Sequence, residues 1–186
     1  LWCSNIGLSI LMATVNLLPS STGINSWTIS TGTAHECLQD DHTGFASGDS
    51  SNLSATAVNK LCVLQFDDFT EDHSSIDGIQ IVTRAGNNSR GQSFELETKL
   101  LPASGITPYY TEGSGTQLAS AGYRTQTYTN RTTTDGSTAW NNTLVDGLRV
   151  NIKLDAHSGG TTRFTQVYII ATYTEPLATD NAVFFG

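Results

Sequence analysis

Two segments carry the clearest pattern in the chain: residues 147–155 (GLRVNIKLD) and 161–174 (TTRFTQVYIIATYT), joined by a short polar loop. In the first, Leu148, Val150, Ile152 and Leu154 alternate with Arg149, Asn151, Lys153 and Asp155. A period of two places one set in a core and the other in water, as in a half-buried strand. The second segment has large residues at both parities: Phe164, Tyr168 and Ile170 on one face, Val167, Ile169 and Tyr173 on the other. A strand apolar on both sides needs cover on both sides. No long helical pattern exists to supply it, so a second sheet or another subunit must.

Further strands are predicted at 27–30, 35–38 (short), 60–66 (KLCVLQF, apolar on both faces), 78–84, 93–101 and 123–129. In 93–101, Phe94, Leu96, Thr98 and Leu100 alternate with Glu95, Glu97 and Lys99. Turn clusters such as Gly86-Asn87-Asn88 and Asp135-Gly136 separate these runs. One short helical turn is expected at 141–146, capped by Asn141 or Asn142, holding Trp140 beside the strand that follows. The sum is an all-β chain, an antiparallel jelly-roll-like β-sandwich of about eight strands. Its predicted parts are an irregular N-terminal arm at 1–26, a sandwich domain at 27–175 and a C-terminal tail at 176–186.

Charge narrows the function classes. Six Arg and three Lys face 17 acids, a net charge of −8. Without a basic patch, binding to nucleic acid or to a membrane surface is not expected, because neutralising phosphates supplies most of that affinity. Abundant Thr, Gly, Ser and Asn favour strands and turns over helices. Of Cys3, Cys37 and Cys62, a Cys37–Cys62 disulfide is conceivable, while Cys62 alone reads as a small buried hydrophobe. Residues 1–11 (LWCSNIGLSIL) are apolar but lack a basic start and a cleavage site, so the expected native start is Met12.

Candidate chemistry is sparse. His35, Cys37 and His42 could meet zinc, although the spacing matches no standard module. Asp67, Asp68, Glu71, Asp72 and Asp77 form an acidic loop that could take calcium, without the order of an EF-hand. Glu95 and Glu97 share a strand face about 7 Å apart, yet they lie on its wet side beside Lys99. No nucleophile elbow, metalloprotease or phosphate-loop motif occurs. No enzyme activity and no cofactor are expected. Trp140, Tyr109 and Tyr110, with Trp27, Tyr123 and Tyr128, could form an aromatic sugar platform or pack as core.

As an ordered set, several segments resemble a known group. They are Trp27-Thr28-Ile29-Ser30, 35–40, 48–56, 58–69 (VNKLCVLQFDDF), 79–84, 123–129, Ser137-Thr138-Ala139-Trp140 with Val145-Asp146-Gly147-Leu148-Arg149-Val150, and 166–173. Together they are similar to bacteriophage virion structural proteins, small jelly-roll-like sandwiches on heads or tails. The likeness covers residues 27–174 and is most specific at the Trp140 element and the closing strand pair; 1–11 and 67–77 have no counterpart. It implies a non-enzymatic virion protein of a tailed phage, a capsid decoration (cement) subunit first and a tail component second. Expected partners are further copies of the chain, as a trimer, and the major capsid protein, with Leu17, Leu18, Val183, Phe184 and Phe185 at interfaces. The competing expectation is a binding module: a phage receptor-binding tip or a secreted carbohydrate-binding sandwich.

Overall fold

A computed structural model describes residues 11–39, 51–89, 92–113, 117–119 and 122–176. Its elements run β1 (Met12–Leu17), β2 (Pro19–Asn25), β3 (Thr28–Ile29), α1 (Ala34–Leu38), β4 (Leu53–Ala55), β5 (Leu61–Phe66), β6 (Ser75–Asn87), β7 (Ser93–Leu101), β8 (Tyr110–Glu112), β9 (Gln117–Ala119), β10 (Gly122–Thr127), α2 (Asn142–Val145), β11 (Arg149–His157) and β12 (Thr162–Thr174). One antiparallel sheet has the order β10-β6-β12-β4-β3, with β1 also on β12; the other has the order β2-β5-β11-β7-β8, with β9 also on β7. The chain crosses repeatedly between the sheets and closes a jelly-roll-like sandwich. Among the described residues, no helix is long and apolar enough to cross a membrane.

The core lies between the sheets. Leu148, Val150, Ile152 and Leu154 are completely buried there, as the alternation of 147–155 predicts. From β5 come Cys62, Leu64 and Phe66, and from β7 Phe94, Leu96 and Leu100. The facing sheet contributes Ile79, Ile81 and Ala85 from β6 with Val167, Ile169 and Ala171 from β12. Phe164 joins that second set rather than the opposite face predicted for it. A register shift between Phe164 and Gln166 adds one residue to β12 and reverses the phase of everything before it. Beyond the shift, Tyr168, Ile170 and Thr172 are only half-buried. The core side of β12 is covered by the chain's own second sheet.

Several expectations are corrected by the structure. Residues 12–25 are not an irregular arm: β1 pairs with β12 from Met12↔Thr174 to Leu17↔Ile169, and β2 pairs with β5. Leu17, expected at a subunit interface, is therefore only 3% exposed within the core, and Leu18 beside it is half-buried. Shifts within β2, at Pro19/Ser21 and Thr22/Ile24, break its period and hide it from an alternation test. Residues 35–38 are helical. Thr33 caps α1, and the Glu36 carboxylate accepts from the Thr33 backbone N–H at 2.7 Å in a capping box. Cys37 and Cys62 are free, buried thiols rather than a disulfide, and burial pushes the Cys62 thiol up to about 12.

Candidate functional site

The outward face of the β2-β5-β11-β7 sheet bears a groove with a cavity volume of about 480 Å³, within the range typical of small-ligand sites. The residues excluded from the core by strand alternation build its floor. Arg149 on β11 stands between Gln65 of β5 and Leu101 of β7, and Asn151 stands between Val63 and Lys99. Ile24 of β2 extends the second row beyond Val63, and Ser21 extends the first beyond Gln65. Cross-strand neighbours on one face lie about 5 Å apart, so each row is a continuous surface.

One wall comes from the loop between β7 and β8. Arg149 holds that loop in place: its Nε donates to the Pro102 carbonyl at 2.9 Å and its other guanidinium nitrogen bonds the Gly105 carbonyl. Both acceptors are neutral, so the guanidinium keeps its full charge. The loop also closes on Gly147, which has φ of +68° and leaves only 3.2 Å between an added Cβ and Ala103 Cβ. A side chain there would strain the backbone and crowd the loop. The rim is apolar, with Ile24 61% and Ile106 92% exposed.

Asn151 Oδ1 is the unusual atom of this surface: it is buried and accepts no hydrogen bond within the chain. A buried acceptor without a donor is destabilising. Among the described residues that line the groove there is no Asp, Glu, His or Cys; Lys99 and Arg149 are its charged groups. Lys99 Nζ lies 2.8 Å from Glu97 Oε1, a partly exposed pair at the groove's edge.

The aromatic residues predicted as a sugar platform are elsewhere and packed. Trp140 is 4% exposed, donates its indole N–H to the Arg131 carbonyl at 2.7 Å, and meets Tyr109 edge to face. The Tyr110 hydroxyl donates to the Thr133 carbonyl, and Arg131 stacks over its ring at 4.4 Å. Trp27 and Tyr128 are buried as well. Tyr109 and Tyr110 are half-buried against the core.

The acidic loop is organised by packing. Phe69 is buried against Tyr173 and His73, with centroids 5.4 and 5.0 Å away, and Asp77 accepts from Ser75 and Thr174. Asp67, Asp68, Glu71 and Asp72 are exposed, and among the described residues no three His, Cys, Asp or Glu converge to hold a metal. His35 bonds Thr22 and Cys37 bonds the Thr31 carbonyl, while His42 lies outside the described residues. Val183, Phe184 and Phe185 lie outside them too. The sequence reading missed the groove residues; its one clue was that 60–66 is apolar on both faces, since Leu61 and Val63 face outward into the groove.

No protein-family model matches the sequence, and no curated protein matches it. Solved structures match at low identity. The CBM36-1 domain of a multidomain xylanase from the hindgut metagenome of Trinervitermes trinervoides is 11% identical, with 86% of this chain and 96% of that one covered and a TM-score of 0.39. The C-terminal CBM6 of LamC from Zobellia galactanivorans is 13% identical, covering 86% and 99%, with a TM-score of 0.40. A Stig cyclase from Fischerella sp. TAU is 12% identical, covering 94% and 81%, with a TM-score of 0.42. At these values the likenesses decide nothing about ligand or reaction.

Proposed function

We propose that this chain is a non-catalytic binding module that holds a carbohydrate chain in the groove on the β2-β5-β11-β7 face. The observation that carries the reading is the groove itself, whose floor sets the side chains of Asn151, Gln65 and Ser21 beside the apolar Ile24 and Ile106. Sugars bring hydroxyl donors for the amides and C–H faces for the apolar rim. A lining without carboxylate, imidazole or thiol favours binding over turnover, because those groups are the commonest general acids and bases. The setting suggested by the sequence resemblance is a phage particle, where such a module would sit at a tail or receptor-binding position, in several copies. Capsid decoration rests on the resemblance alone. Packing of a protein neighbour in the groove is the second reading, favoured by the exposed Ile24 and Ile106.

Native gel electrophoresis through a panel of soluble polysaccharides tests the proposal. At least one polymer is expected to retard the protein, and Gln65→Ala or Asn151→Val should reduce the shift while Trp140→Phe keeps it. No retardation on any polymer, or retardation indifferent to both groove variants, overturns it. Light scattering after gel filtration addresses the second reading: a stable oligomer that Ile106→Asp dissociates would replace the glycan with a neighbouring protein.

A further inference from the structure

Resting on the groove reading above, we infer that the ligand is an acidic sugar polymer, whose carboxylates meet Arg149 and Lys99. The charge distribution is the first reason. The chain carries 17 acids and a net charge of −8, yet the groove lining holds two cations and no Asp or Glu. A surface so depleted of the chain's prevailing charge favours a ligand of that charge.

The state of each cation is the second reason. Arg149 spends its Nε and one terminal nitrogen on carbonyl oxygens, which position the side chain without neutralising it. Its guanidinium has five N–H donors in a fixed fork, so donors remain for a carboxylate. Lys99 stands directly across the strand boundary from Asn151. Its pair with Glu97 is partly exposed, with side-chain exposures of 31% and 19%. Such exposed pairs are worth little, so a ligand carboxylate can draw the ammonium inward with small loss. The cations therefore lie on either side of Asn151 in the groove floor, and a uronate residue brings a carboxylate to them.

The test compares polygalacturonate with the same polymer methyl-esterified, by affinity electrophoresis at 20 and 500 mM salt. Esterification removes the charge and keeps the sugar chain. Retardation by the acid polymer is expected, roughly tenfold weaker on the ester and weaker again at high salt, as one lost charge-assisted hydrogen bond implies. Lys99→Gln should weaken binding to the acid polymer more than binding to the ester, with Lys99→Arg restoring it; an unaltered melting temperature confirms that Lys99→Gln folds. Equal retardation on both polymers, or binding of neutral polymers alone, overturns the acidic-ligand inference and leaves the groove reading standing. If no polymer, acidic or neutral, is retarded, both fall together.

Discussion

Replacing Asn151 with Val should make the protein more stable and a poorer binder. In the free protein the Asn151 carbonyl oxygen is buried without a donor, which for a fully buried group costs about 1–3 kcal/mol. The residue as a whole is half-buried, so the lower end, about 1 kcal/mol, applies. Valine in a strand adds a fraction of the roughly 1 kcal/mol that separates good from poor strand formers, and its methyl groups fall beside Val63 in the neighbouring strand. The gain is therefore about 1–2 kcal/mol, or roughly 2–8 °C in melting temperature for a domain of this size. Calorimetry with urea titration checks it, the midpoint rising while the m-value stays constant. Losing the acceptor should weaken ligand binding roughly five- to tenfold. A lower melting temperature would mean that Asn151 Oδ1 is satisfied in the free protein. A stabilised variant with undiminished affinity would place the ligand elsewhere.

Trp140→Phe removes the 2.7 Å indole bond to the Arg131 carbonyl. That oxygen does not become an orphan: the Ile79 N–H still donates to it. Destabilisation should be about 1 kcal/mol by urea titration, with glycan affinity unchanged. Asp135 is held near a pKa of about 2 by backbone N–H bonds from Thr138 and then Ser137, against an ordinary 3.8. A lowered carboxyl contributes stability above pH 3.8 that is lost as pH falls toward 2. Asp135→Asn should therefore flatten the acid limb of melting temperature against pH in that window; an unchanged limb refutes the assignment. Cys37 and Cys62 should remain unalkylated at pH 8 in the native protein and react fully in urea, read by peptide mass spectrometry. The raised Cys62 pKa has a further sign: stability falls as pH climbs from 9.0 toward 12, where the unfolded thiol ionises and the folded one does not.

Several elements were legible without a structure because their causes are local. The strand at 93–101 has the bounds the alternation gives. The Asn141 cap of α2 is likewise local: its side chain accepts from the Leu144 N–H at 3.1 Å. The capping box at Thr33 and Glu36 was equally local, but reading 35–38 as a short strand obscured it. β1 and β2 were hidden for a different reason. They are strands because β12 and β5 offer them partners, and the shifts in β2 erase the pattern that would announce it.

The sequence by itself determined that the chain is β-rich, which faces of β7 and β11 are buried, and that charge disfavours nucleic acid. Those properties follow from side-chain period and net charge, which need no knowledge of neighbours. Only the tertiary structure decided that Trp27, Tyr128 and Trp140 are interior and that Arg149, Asn151, Lys99 and Gln65, from three strands, form one surface. Residues far apart in the chain become a site through strand order and register. Neither is written in the alternation of a single strand, because a polar outward residue looks the same whether it faces open water or a groove.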